Sequence, residues 1–146
     1  MNREELKQLM PHREPMLLVD ESEIIDESHV ESKYTIRENE FFTTGHFPGY
    51  PVVPGVILCE IMAQAGVRLI PEEELKTGTA FYAAIDNAKF KSSVFPGDTV
   101  VTVAHLAGRK GPAVFIDAKA TVNGKVCCMG KLTFMIVPND KLYNKE

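Results

Sequence analysis

The chain has 146 residues with 45% hydrophobic and 25% charged content, a range suited to one globular domain with a single core. A formal net charge of −4 and a pI of about 5.6 argue against a nucleic-acid partner, because phosphate binding needs a basic field. No apolar run is long enough to span a bilayer. The three cysteines form neither a disulfide framework nor a zinc-ligand spacing, and the N-terminus lacks a signal-peptide apolar stretch, so a reducing cytoplasm is the expected compartment.

In chain order, "NREELKQLM" predicts a short helix with Asn2 as N-cap and acidic residues in its first turn. Pro11 and Pro15 interrupt it. Strands are expected from Met16 to Asp26 and from His29 to Ile36, the second on the alternation of Val30, Tyr34 and Ile36 with Glu31, Lys33 and Thr35. Residues Glu40–Val53 read as a turn-rich loop. Pro54 begins a helix running to about Leu69, which Pro71 and the acidic run Glu72–Glu74 end.

Beyond Thr77 four strands are expected, in "TAFYAAID", "TVVTVAHLAG", "AVFIDAKATV" and "KVCCMGKLTFMIV". Pro96-Gly97-Asp98 separates the first two, and Asn123-Gly124 is a type I′ hairpin signal between the last two. Cys127 and Cys128, as strand neighbours, point to opposite faces. With no repeat or linker, residues 1–146 read as one α+β domain in which a sheet wraps a single long apolar helix.

That helix carries only Glu60, Gln64 and Arg68 as clearly polar side chains between Val56 and Leu69, at i, i+4 and i+8. Taken alone, such a stripe reads as a solvent face. The segment before it favours a second reading. Pro48, Pro51 and Pro54 recur every third residue and imply a stiff, extended approach, which the flanking Phe41, Phe42 and Phe47 suggest is buried. Gly55 leaves the N–H groups of the helix start open to close approach. A histidine (His46), an accessible helix start and a carboxylate (Glu60) are the parts of an acid–base site. Burial would raise the pKa of such a carboxylate, as a general acid requires. Spacing leaves open whether His46 and Glu60 meet within one chain or across two. His12, His29 and His105 are dispersed and suggest no metal cluster.

At "GHFPGYPVVPGVILCEIMAQAG" (45–66) the sequence resembles the (3R)-hydroxyacyl-[acyl-carrier-protein] dehydratases of bacterial type II fatty-acid synthesis, in the class with a His/Glu pair. "LMPHREPMLLVD" (9–20), "AIDNAKF" (84–90), "VFPGD" (94–98) and "ATVNGKV" (120–126) support it, so the resemblance covers Leu6 to Val137.

It implies a hotdog fold, a homodimer that can assemble into a hexamer as a trimer of dimers, and dehydration of (3R)-hydroxyacyl carrier protein to the trans-2-enoyl form without metal or other cofactor. It implies His46 and Glu60 as the catalytic pair, supplied by opposite protomers, Gly55 N–H as the holder of the thioester oxygen, and Gln64 beside the carboxylate. The partner is then acyl carrier protein bearing the acyl-phosphopantetheine substrate. Lys89, Lys91, Arg109 and Lys110 are candidates to receive that acidic partner, or are simply solvated charges. Ser93 stands where many members carry proline, and Phe81-Tyr82 lie near the position of a tunnel gate that neither is assigned. A hotdog thioesterase and a dual dehydratase–isomerase are the alternative enzymes. The isomerase class usually has aspartate at the Glu60 position, and an acyl-binding scaffold would not need both His46 and Glu60.

Overall fold

A computed structural model describes residues 1–142; the last four residues of the expected 1–146 domain lie outside the described residues. The chain opens with helix α1 (Arg3–Leu6), closed by a capping box in which Asn2 Oδ1 accepts from Glu5 N and Glu5 returns the bond to Asn2 N. Such a cap is worth about 1 kcal/mol. Strand β1 (Glu21–Asp26) and strand β2 (His29–Thr35) follow, then one helical turn, α2 (Phe41–Thr44). Helix α3 spans Gly55–Gly66, with Pro54 as N-cap and a 3₁₀ turn at Val67–Leu69. Helix α4 (Glu72–Thr77) precedes the long strands β3 (Gly78–Phe90), β4 (Thr99–Lys110), β5 (Ala113–Val122) and β6 (Lys125–Pro138).

The six strands form one antiparallel sheet in the order β1-β2-β4-β5-β6-β3, with β1 and β3 at its edges. Alternation decides which side faces inward. Val100, Thr102 and Ala104 of β4 and Val114, Ile116, Ala118 and Ala120 of β5 are buried, and their neighbours are more open. The buried side curls over α3, whose Leu58, Cys59, Ile61 and Met62 belong to the same core as Ile116, Leu132 and Phe134. Two glycines set how closely the helix lies. A Cβ on Gly66 would come within 2.9 Å of Ile116 Cδ1, and one on Gly55 within 2.8 Å of Phe90 Cε1.

The Asn123-Gly124 hairpin forms as expected: both residues have positive φ, 51° and 79°, and Val122 pairs with Lys125 across the two-residue turn. Four expectations need correction. β1 begins at Glu21, because Leu17, Leu18 and Val19 are all buried in succession; they run as a strap tied to α3 through Gln64 rather than as an alternating strand. Glu72–Glu74 start a helix instead of ending one, since Pro71 is a compatible N-cap and three carboxylates favour the positive end of a helix dipole. Residues 47–51 are exposed and tightly turned, not buried and extended: Phe47 and Tyr50 exchange backbone hydrogen bonds around Pro48 and Gly49, whose φ is 71°. Proline followed by a positive-φ glycine is the composition of a type II turn. Finally, Cys127 and Cys128 are both fully buried, because the β5–β6 register slips there and leaves Cys127 as the extra residue.

Candidate active site

The polar stripe on α3 is not a solvent face. Gln64 is only 1% exposed, and its amide ties three things together. Its Oε1 accepts from Leu18 N at 2.7 Å, while Nε2 donates to Met16 O at 2.7 Å and to Glu60 Oε2 at 2.9 Å. The Leu18 N–H fixes which end of the amide is oxygen, so the nitrogen necessarily faces the carboxylate. Glu60, one turn earlier on the helix, keeps 23% of its side chain exposed and opens on a cavity of about 480 Å³. Pro11, His12, Ala63, Phe81, Tyr82 and Phe134 are among its walls.

The same wall contains two groups that sequence spacing did not connect to Glu60. His12 Nε2 lies 3.6 Å from Glu60 Oε2, and its Nδ1 is buried with no hydrogen-bond partner. Burial lowers the His12 pKa; the Glu60 charge opposes that shift and Arg13 adds to it. Tyr82 donates to the carbonyl of Cys59, the residue before Glu60, and rests its ring at 5.4 Å from that of Phe134. Burial first, then the nearby Glu60 charge, push its phenol well above the usual tyrosine range, so it remains a donor. Phe81, its neighbour, is exposed. Cys59 and Cys128 are both buried, and the pull of Cys128 holds the Cys59 thiol below the usual cysteine range.

His46 stands elsewhere. Its backbone N–H donates to Thr43 O and its carbonyl accepts from Val52 N, which closes the loop on itself. Its ring stacks on Phe47 with centroids 4.2 Å apart. The Nδ1···Val52 O distance is 3.0 Å, and a carbonyl can only accept, so the neutral ring carries its hydrogen on Nδ1. Nε2 is left with a free lone pair, the arrangement of a general base.

Gly55 brings a third group. The Gly55 and Val56 N–H groups donate to nothing among the described residues, and the glycine and Val52, Val53, Leu58 and Phe90 line a smaller cavity of about 260 Å³. A twelve-residue helix begins here, so its dipole adds to any oxygen held by these donors.

Within one chain these parts are only partly assembled. Glu60, Gln64 and His12 converge; Gly55 stands one and a half turns back on the same helix; His46 shares no hydrogen bond, ion pair or cavity with Glu60 among the described residues. The loop of His46 and the start of α3 are apolar and open, with Tyr50 70% and Val56 74% exposed, and the edge strand β3 separately presents Phe81, Ile85 and Phe90. No group of three or more potential metal ligands occurs among the described residues. No helix among them is long and apolar enough to cross a membrane.

Of the basic candidates, Arg109 is committed to a two-pronged pair with Glu74, at 2.6 and 2.9 Å. Lys89, Lys91 and Lys110 make no ion pair among the described residues.

Comparison with known proteins places this geometry in context. The model of the FabA-like domain matches residues 10–131. The chain is 46% identical over 137 residues to a 3-hydroxyacyl-[acyl-carrier-protein] dehydratase FabZ from Clostridium perfringens, covering 93% of this chain and 99% of the relative. It is 44% identical over 132 residues to the protein of that name from Streptococcus sanguinis, covering 90% and 94%. Among solved structures, the dehydratase heterocomplex ApeI:P from Xenorhabdus doucetiae matches with a TM-score of 0.77 at 19% identity over 93% of this chain and 92% of that one. A mutant thioesterase from Pseudomonas aeruginosa matches with 0.66 at 16% identity over 94% and 95%. At such identities the structures speak for the fold alone, and that fold is the hotdog: one antiparallel sheet around one long helix.

Proposed function

The chain belongs to the FabA-like domain family, and from that premise we propose how its residues carry out dehydration. The protein is a hydro-lyase that dehydrates 3-hydroxyacyl-[acyl-carrier-protein] in fatty-acid biosynthesis. The observation that carries this is the identity of about 45% to dehydratases of that name over nearly the full length of both chains. The substrate is taken to be the (3R) alcohol and the product the trans-2-enoyl thioester, with the carrier protein as partner. Residues 1–146 act as one catalytic domain in a reducing cytoplasm.

Three groups divide the chemistry. His46 Nε2, left free by the Nδ1–Val52 contact, removes a proton from C2. Charge moves onto the thioester oxygen, which the Gly55 N–H receives at the start of α3. Glu60, protonated, gives its proton to the C3 hydroxyl, which leaves as water. One proton is thus lost from carbon to His46 and one passes from Glu60 to oxygen, and a proton returned from His46 to Glu60 resets the site. Acid–base action of this kind supplies about 10²–10⁴ in rate. A preorganised oxyanion donor supplies about 10²–10³ more.

The separation of His46 from Glu60 in one chain supports a homodimer in which each site takes its histidine from the partner. The exposed apolar side chains of β3 and of the His46 loop supply a surface for that pairing, and a thirteen-residue open edge strand is otherwise a liability. Assembly to a trimer of dimers is compatible with this arrangement. Lys91, in the lining of the Gly55 cavity, is the favoured contact for an acidic carrier protein; Arg109, held by Glu74, is not.

The test runs the reaction in reverse. Hydration of a crotonyl thioester, followed by loss of enoyl absorbance, is expected for the wild type and reduced at least 10²-fold in His46→Ala and Glu60→Gln, about the share of a positioned acid or base. Full activity in Glu60→Gln would overturn the acid's assignment, and release of free thiol in place of hydration would point to thioesterase action.

A further inference from the structure

We propose that His12 is a positioning residue for Glu60, an inference that rests on the functional reading above: the His12 Nε2–H and the Gln64 amide together hold carboxyl oxygen Oε2, so that Oε1 alone faces substrate. Both donors address the same oxygen, at 3.6 Å and 2.9 Å, and Oε1 has no partner among the described residues. The proton delivered to the leaving hydroxyl therefore sits on Oε1.

The tautomer follows from the buried nitrogen. Neutral imidazole has one N–H. Placed on Nδ1, that hydrogen would be buried with no acceptor, and the Nε2 lone pair would oppose a carboxylate oxygen. Placed on Nε2, it points at Glu60. A second proton would have to occupy the same partnerless Nδ1, and burial, with Arg13 nearby, resists the added charge although Glu60 favours it. His12 thus acts as a fixed neutral donor and not as a proton shuttle. The 3.6 Å separation exceeds a hydrogen bond. Contacts in ligand-free active sites are commonly long and tighten on substrate binding.

The ring has little freedom to leave. Arg13 Nη1 donates to Met10 O at 2.8 Å and to His12 O at 2.7 Å, and Nη2 to Lys7 O at 3.1 Å, clamping the chain on one side of His12. On the other side Gln64 grips Met16 O and Leu18 N.

The experiment measures kcat, KM and the pH–rate profile of thioester hydration for wild type, Glu60→Gln, His12→Leu and His12→Gln, with thermal melting to confirm folding. His12→Leu is expected to lower kcat about tenfold with KM within about twofold, as loss of one donor to Glu60 implies. His12→Gln, whose amide N–H replaces Nε2–H, is expected to stay within about threefold of wild type with a superposable pH profile. Where His12→Leu does not fold, His12→Asn replaces it, since its shorter amide overlays Nδ1 and cannot reach Oε2. Equal activity of His12→Leu and wild type, or equal impairment of the glutamine variant and the donorless one, would overturn the proposal. So would loss of a pH–rate limb in His12→Gln. Full activity in Glu60→Gln overturns the acid assignment itself, a different outcome visible in the same experiment.

Discussion

Glu60 and His46 differ most in what surrounds them. The carboxylate is embedded in a network that runs from the N-terminal strap through Gln64 to the helix, with partners drawn from residues up to 48 positions away. The imidazole is held by its own loop, through Val52 six residues on, and stacks on the exposed ring of Phe47. One half of the proposed acid–base pair is finished inside the chain; the other is a projecting part. Long-range hydrogen bonds fix a group in place, whereas a short self-closed loop with an apolar surface is built to meet something else.

The sharpest way to break that contrast is a mixing experiment. His46→Ala and Glu60→Gln chains, each inactive alone, are refolded together. If each site draws on two chains, random pairing gives heterodimers with one intact site, and activity recovers to about a quarter of wild type. A site complete within one chain leaves the mixture inactive.

The next effect is on stability. Gln64→Leu leaves the buried Leu18 N–H and the part-buried Met16 carbonyl without their partner, at about 1–3 kcal/mol for the first and less for the second. A loss of about 2 kcal/mol in urea unfolding is expected, together with lower kcat. A loss below 1 kcal/mol would mean that the network is not what holds the strap.

The smallest effect is pH-dependent. Glu14 is held at about 2, below its ordinary 4.5, by its own backbone N–H, then Lys7, then Arg3, which tether the strap to α1. A carboxylate with a depressed folded-state pKa contributes above its unfolded value and stops contributing as pH falls through the folded one. Amide protection factors in residues 9–18, taken relative to the intrinsic exchange rate at each pH, are therefore expected to fall between pH about 4.5 and 2. Glu14→Gln should show no such pH step.

Much of this was legible in order of appearance. The strands after Thr77 announced themselves because one face is buried and the other is not, and Asn123-Gly124 because few residues accept positive φ. Histidine, glycine and glutamate around the start of α3 read as the parts of an acid–base site, the assignment proposed above. The stripe on that helix was not legible, because Glu60, Gln64 and Arg68 at one-turn spacing look alike against water or against a buried strap. Nor was His12: nothing in "LMPHREPMLLVD" reveals that the chain doubles back to place it beside a residue 48 positions later. The exposed 47–51 turn escaped for the opposite reason, since apolar composition alone does not place a segment in this chain's own core.

The two close approaches of glycine, Gly55 to Phe90 and Gly66 to Ile116, have a metrical consequence. Pinned at both ends, α3 is a ruler. Five residues separate the Gly55 N–H from Glu60, about 7.5 Å along the axis at 1.5 Å per residue. On the proposed chemistry this graduation measures the distance from a thioester oxygen to an oxygen two carbons away. It is insensitive to the length of the tail beyond, which the walls of the cavity must gauge instead.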